Sequence, residues 1–287
     1  MSKVNYFNPI SENGVTYSVD MVRYKLVFFY GGAEELGKYL MANTNIKCEQ
    51  HICTSFMKYH DLFVVELDED VTFSLGIGWN FTGKCDYSLG FIEFNPNKCC
   101  NYEFFEKFFT MLRIRCKSVM ISRWDFAVDI PVERSKVKLH KDTRTYERVE
   151  RGTVTEYLGT RNQNGRFKLY DKKHESKLDY DLTRAELTLD GYPCFEELQR
   201  LFPRIDFFKE QYEMDMLLKL SQNDLVLLKL LLASPDFDLY FNQLSRRKRE
   251  RLEPYLFDSD KSLKISRKCY NYCIDFVHSF EKTRIMK

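Results

Sequence analysis

The stretch Ile121-Ser122-Arg123-Trp124-Asp125-Phe126-Ala127-Val128-Asp129-Ile130 alternates without a break. Successive side chains of a strand leave opposite faces of the sheet, so Trp124, Phe126, Val128 and Ile130 share one face. Arg123, Asp125, Ala127 and Asp129 share the other. The pattern predicts a half-buried strand with a charged surface, and Pro131, which cannot donate to a strand ladder, marks its end. Two later segments repeat it. Arg166-Phe167-Lys168-Leu169-Tyr170 sets Arg166, Lys168 and Tyr170 on one side, and Leu182 to Leu189 alternates Arg184, Glu186 and Thr188 with Ala185, Leu187 and Leu189. As neighbours in one antiparallel sheet, these strands would merge their polar faces, with the tyrosine strand between the two acidic ones.

Working outward, Val15 to Phe29 is rich in β-branched and aromatic residues and predicts a strand. A helix is expected over 33–42 after the Gly31-Gly32 turn, then strands over 61–66, 71–78 and 87–94. Phe104, Phe105, Phe108, Met111 and Leu112 fall at helical spacing within 101–116. A basic connection after Pro131 leads to a short strand over 153–159. Beyond Gly191-Tyr192-Pro193 the periodicity turns helical, carried by Phe195, Leu198, Leu201 and Phe202, then by Met216, Leu217 and Leu220, then by the leucines of 225–233. The expected organisation is an α+β body over 1–191, with 1–118 as a candidate β subdomain, and a helical region over 192–287. No internal repeat or low-complexity tract interrupts it.

With 287 residues and 44% hydrophobic content, the chain can fill one large core or two ordinary ones. No run of eighteen uncharged apolar residues occurs, so a helical membrane span is not expected. Met1-Ser2-Lys3-Val4-Asn5-Tyr6 has no apolar signal core, and the nine cysteines follow no disulfide rhythm; both predict a cytoplasmic, reduced protein. Net charge is only +2, which excludes a simple polycation. Basic residues cluster instead: seven Lys or Arg against four acids over 131–151, six against two over 161–177, and Arg246-Arg247-Lys248-Arg249-Glu250-Arg251. Such patches suit nucleic-acid phosphates better than they suit a uniform field.

The three polar strand faces would bring together Asp125, Asp129, Glu186, Tyr170, Lys168 and Arg184, with Lys172 and Glu175 just beyond the tyrosine. Carboxylate oxygens are hard ligands that favour Mg²⁺ or Mn²⁺. A cation there would polarise a phosphate oxygen, and Tyr170 would attack phosphorus, its phenolate favoured by Lys168, Lys172 and the metal. Tyr170, Lys172 and Arg184 form the candidate catalytic group. Singly, each has a plainer reading: Tyr170 is one of 18 tyrosines, the acids suit an exposed sheet, and His174 beside two lysines suits a surface. The combination is what points to phosphodiester chemistry.

Four blocks carry a resemblance. Ser122 to Asp129, Tyr157-Leu158-Gly159-Thr160-Arg161, Arg166 to Glu175 and Thr183-Arg184-Ala185-Glu186-Leu187 look like the replication initiation factors of the Rep_trans family in order and spacing, over roughly residues 15 to 200. The resemblance implies a nicking-closing enzyme on a five-stranded antiparallel sheet related to the HUH endonucleases, without their paired histidines. The five histidines here form no His-hydrophobe-His triplet. It further implies Tyr170 as nucleophile and Asp125 or Asp129, Glu175 and Glu186 as metal ligands. A covalent phosphotyrosine–DNA link and a free 3′-OH at a plasmid-type origin would result, and a homodimer and a host helicase partner are implied as well. Asp181-Leu182-Thr183 departs from the family, where an aromatic is common.

A relaxase starting conjugative transfer would use the same chemistry, and a filamentous-phage initiator is a variant of it. A non-catalytic origin-binding protein is the alternative from another class. Arg161, Arg166, Lys168 and Lys173 are the expected contacts to single-stranded DNA beside the scissile bond. Arg246, Arg247 and Lys248 are the expected contacts to the adjoining duplex or hairpin.

Overall fold

The computed structural model describes residues 9–44, 46–52, 59–81, 84–161, 163–209, 217, 219–234, 237–258 and 262–282. Its main feature is one antiparallel sheet of eleven strands, where the family resemblance implied five. The first half runs β1 (Ile10–Glu12), β2 (Val15–Phe28), α1 (Gly32–Ala42), β3 (Lys47–Ile52), β4 (Tyr59–Asp68), β5 (Val71–Phe81), β6 (Lys84–Phe94), α2 (Pro96–Cys99) and α3 (Glu103–Arg115). The second runs β7 (Cys116–Ile130), β8 (Val137–Leu139), β9 (Tyr146–Arg151), β10 (Thr153–Leu158), β11 (Phe167–Asp171), α4 (Lys172–Ser176) and β12 (Thr183–Leu189). Across the sheet the order is β3-β4-β5-β6-β2-β7-β12-β11-β10-β9, with β1 paired to β2.

The long β2 joins the halves, pairing β6 on one side and β7 on the other. The strands expected within 1–118 thus belong to the same sheet as the site strands. Residues 1–118 supply six strands of the common sheet and its centre. The segment after Pro131, read as a plain basic connection, holds β8 and the edge strand β9. β3 at the other edge also escaped the pattern, because four of its six side chains are exposed in succession and leave no alternation to detect.

One face of the sheet is the core. Trp124, Phe126, Val128 and Ile130 of β7 are buried there with Phe167, Leu169, Ala185, Leu187 and Leu189. Phe105, Phe108 and Phe109 of α3 extend this layer, as does α9 (Arg267–Ser279). Tyr270 of α9 stacks on Trp124 with ring centroids 6.0 Å apart and donates its hydroxyl to the Pro193 carbonyl at 2.7 Å. Tyr24 donates to the Val277 carbonyl at 2.8 Å.

The region after 191 is not helical throughout. α5 (Phe195–Leu201) and α9 pack on the main core, whereas β13 (Ile205–Phe208) and β14 (Phe257–Asp258) form a small sheet with β8. Between these strands, α6 (Gln222–Ala233), α7 (Phe237–Gln243) and α8 (Arg246–Leu256) enclose a second core of Leu228, Leu231, Phe241, Leu252, Leu256 and Phe257. Leu217 and Leu220 pack against it; Met216 lies outside the described residues. Among the described residues no helix is long and apolar enough to cross a membrane.

Candidate active site

The site lies on the sheet face opposite α9. Register places its side chains in cross-strand rows: Asp125 opposite Thr188, Ala127 opposite Glu186, Asp129 opposite Arg184. One strand further, Glu186 faces Lys168 and Arg184 faces Tyr170. Directly opposed residues on neighbouring antiparallel strands share a face, so the polar faces coincide. The strand order differs from expectation. Glu186's strand β12 is the middle one, flanked by β7 and β11, and Tyr170 lies to one side of both acidic strands.

The two aspartates have different partners. Asp129 is held bidentately by Arg184, Nε to Oδ1 at 2.6 Å and Nη2 to Oδ2 at 2.7 Å. The third guanidinium nitrogen donates to Asp20 at 2.8 Å. Burial disfavours the Arg184 charge, but Asp129 and Asp20 outweigh it and raise its pKa. Asp20 falls where the β2–β7 register slips between Val19 and Val22, and such an irregularity re-aims a side chain. Asp125, by contrast, accepts from the Thr188 hydroxyl, at 2.7 Å.

Asp125 and Glu186 form the electrostatically stressed pair. Burial is the main cause of the raised Asp125 pKa, with the charges of Asp20 and Glu93 adding to it against the Thr188 hydrogen bond. Burial also leads for Glu186, followed by the charge of Asp125. Between Asp125 and Asp129 stands the small Ala127, and beyond it on β2 stands Ser18, whose buried hydroxyl has no hydrogen-bond partner among the described residues. Two crowded carboxylates and an orphaned hydroxyl fit a divalent cation, since Mg²⁺ uses one or two carboxylates and fills its other positions with water and phosphate oxygens. The bonds described leave Oδ2 of Asp125 and Oε1 of Glu186 for it.

The expected four-carboxylate cluster is not assembled. Among the described residues no group of three or more His, Cys, Asp or Glu side chains is placed to hold a metal ion. Asp129 is taken by Arg184. Glu175, on α4, pairs with Lys172 at 2.6 Å and Lys168 at 3.8 Å. Burial opposes its ionisation, but the lysines prevail and hold its carboxyl below the usual range.

Tyr170 is only 4% exposed and donates to Glu186 Oε2 at 3.3 Å. Its pKa is raised far above the ordinary range, first by burial and then by the Glu186 charge. Burial and the Glu186 charge thus oppose the phenolate that Lys168, Lys172 and a metal were expected to favour. Lys168 and Lys172 lie 3.7 Å and 5.8 Å from the ring centroid, as cation–π partners.

Beside Asp125 and Glu186 opens a cleft of about 840 Å³ that includes Arg123, Arg161, Arg166, Lys168 and Tyr157 in its walls. Gly159, at φ 85°, bends the chain at its wall in a conformation that disfavours other residues. Thus three of the expected single-strand contacts, Arg161, Arg166 and Lys168, meet at the cleft. Lys173 does not: it sits on α4, paired with Asp181 at 2.8 Å. Arg23, Glu93 and Arg151 also line the cleft and were missed, as were Ser18 and Asp20. For Ser18 and Asp20 the available signal was their shared parity on β2.

The C-terminal basic cluster is partly committed to internal pairs. Arg246 binds Glu250 at 2.7 Å, and Lys248 binds Asp224 at 3.3 Å beside Arg251 at 2.9 Å. Arg247 is exposed.

No protein-family model matches the chain, and no curated protein matches it. Among solved structures it is similar to a rolling circle replication initiator protein from Geobacillus stearothermophilus. The TM-score is 0.41, with 13% identity over 96% of this chain and 99% of that one. The functional reading therefore rests on the residues themselves.

Proposed function

We propose that the chain is a metal-assisted DNA strand transferase that nicks one strand at a replication origin through Tyr170. The observation that carries this reading is the row-by-row juxtaposition of Tyr170, Glu186 and Asp125 on one sheet face, beside a cleft walled by arginines and a lysine. Asp125 and Glu186 would hold the cation, with the Ser18 hydroxyl beside them. Bound there, Mg²⁺ or Mn²⁺ would supply positive charge to a non-bridging phosphate oxygen.

A substrate phosphate would compete with Glu175 for Lys168 and Lys172, uncovering Tyr170. Glu186 takes the phenol proton as the Tyr170 oxygen bonds to phosphorus. The P–O3′ bond breaks and the departing oxygen takes a proton from water, leaving a 5′-phosphotyrosine and a free 3′-OH. Because one phosphoester replaces another, religation needs no outside energy. Arg184, locked between Asp129 and Asp20, is a positioning residue that keeps β12 in place against β7 and β2.

The test is incubation of the protein with origin DNA and Mn²⁺, followed by a denaturing gel and mapping of the modified residue. An adduct on Tyr170, absent in Tyr170→Phe while DNA binding persists, is the expected result. Asp125→Asn should weaken Mn²⁺ binding by calorimetry at least ten-fold. An adduct mapped elsewhere, or undiminished in Tyr170→Phe, overturns the assignment of the nucleophile.

The near-complete burial of Tyr170 favours one second reading, an origin-binding protein that does not cut. DNA binding with neither adduct nor Mn²⁺ uptake identifies it. Transfer initiation by a relaxase would use the same steps. A dimer and a helicase partner remain proposals drawn from the family resemblance.

A further inference from the structure

Tyr157 stands in the same cross-strand row as Lys168 and Glu186, yet the strand-transfer chemistry leaves it without a task. Unlike Tyr170, it is only partly buried and forms part of the cleft wall. The Arg166 guanidinium lies over its ring, 4.8 Å from the centroid. Thr188 N donates to the Arg166 carbonyl at 2.8 Å and the Thr188 carbonyl accepts from Gly165 N at 2.8 Å, which extends the β11–β12 ladder, so Arg166 is set by the sheet and not by a loose loop. The Tyr157–Arg166 pair is thus a preformed flat surface, two strand spacings (about 10 Å) from the Glu186 column.

Around that surface the cleft carries more cations than carboxylates, with Arg23, Arg123, Arg151, Arg161, Arg166 and Lys168 against Glu93, Asp125, Glu147 and Glu186. A flat aromatic flanked by cations matches the alternation of a single-stranded polynucleotide, in which every phosphate is followed by a base with an exposed π-face. A duplex keeps those faces stacked within itself and has no use for the ring.

We propose that Tyr157 is a stacking platform for one unpaired nucleobase of the strand, with Arg166 holding the ring in place and contacting the adjoining phosphate. This rests on the single-strand DNA reading above, and assigns a base subsite within it. Tyr157 acts through binding; no bond to it is made or broken.

The experiment measures equilibrium binding of the full chain to a single-stranded oligodeoxynucleotide without divalent metal, so that cleavage plays no part. An abasic site is moved along the oligonucleotide one position at a time, and each oligonucleotide is tested with wild type, Tyr157→Phe and Tyr157→Leu. We expect Tyr157→Phe to bind within two-fold of wild type and Tyr157→Leu to bind about ten-fold more weakly. Its salt dependence should be unchanged, because no phosphate contact is lost. One abasic position should weaken wild type by a similar factor and leave Tyr157→Leu indifferent. If no abasic position costs wild type more than two-fold, the platform is overturned even where the Leu variant fails to fold. Equal weakening in Phe and Leu overturns it as well, since the hydroxyl and not the ring face would then matter. Absence of any binding by wild type overturns the single-strand reading along with the platform, an outcome separate from normal binding that ignores Tyr157.

Discussion

Arg184 carries more of the site's order than any other side chain. Its three nitrogens reach Asp129 on β7 and Asp20 on β2, spanning three strands of the sheet. Removing a partner from a buried pair leaves the remaining charge uncompensated, which costs more than the pair contributes. Arg184→Met should therefore destabilise the protein by about 3–5 kcal/mol in urea unfolding. Adding Asp129→Asn should recover part of that loss, because one of the stranded carboxylates is gone. A double variant no better than Arg184→Met would show that the bidentate pair is not the coupling. Asp129 and Asp125 differ in the same way. One is paired with a cation of the protein itself, the other lies beside Glu186 and accepts from the Thr188 hydroxyl. The sequence places both on the same face and offers no way to choose, since parity is all that alternation encodes.

At the scale of elements, the decisive contact is α9 against the core face of β7 and β2. Tyr270 is fully buried, stacked on Trp124 and hydrogen-bonded to the Pro193 carbonyl. Truncating so large a buried ring leaves a cavity, so Tyr270→Ala should cost about 3–5 kcal/mol. Tyr270→Phe keeps the packing and loses one buried hydrogen bond, at about 1–2 kcal/mol. Chemical denaturation of the two variants measures both, and equal losses would mean that packing on Trp124 contributes little. By covering one face of the sheet, α9 leaves the opposite face as the open one. Which strands carried polar faces was legible in β7, β11 and β12, because each alternates over five residues or more. β3 and β9 were not, being edge strands with little buried surface to impose a pattern.

At the scale of the whole molecule, the two cores meet through the small β8–β13–β14 sheet. Lys138 of β8 is buried there, its ammonium 5.5 Å from the Phe237 ring centroid of the second core. Burial lowers its pKa to about 8, and the cations Lys141, Arg134 and Arg148 act in the same direction against Glu156. The folded state thus holds this proton less tightly than the unfolded chain, whose lysine titrates near 10.4. Below pH 8 both states are charged and the fold carries the full penalty, of the order of 3 kcal/mol. As pH rises from about 8 towards 10.4 the penalty is relieved. Thermal unfolding of wild type and Lys138→Met should accordingly differ most at pH 7, in favour of the variant, and converge by pH 10. A gap independent of pH would indicate that Lys138 affects packing and not charge.

The sequence by itself determined the polar and apolar faces of the site strands, the end of β7 at Pro131 and the basic stretch that became the cleft wall. Period-two alternation and turn chemistry are local, and local rules survive whatever the chain does elsewhere. Only the tertiary structure decided which strands lie side by side, that β12 and not β11 is central, and that Asp129 belongs to Arg184 while Asp125 belongs with Glu186. It alone decided that Tyr170 is buried while Tyr157 is only half-buried in the cleft wall, and that the second core begins after β13. Those outcomes depend on which residues from distant parts of the chain compete for the same few ångströms. Burial and charge pairing are settled by that competition, and no spacing along the chain records it.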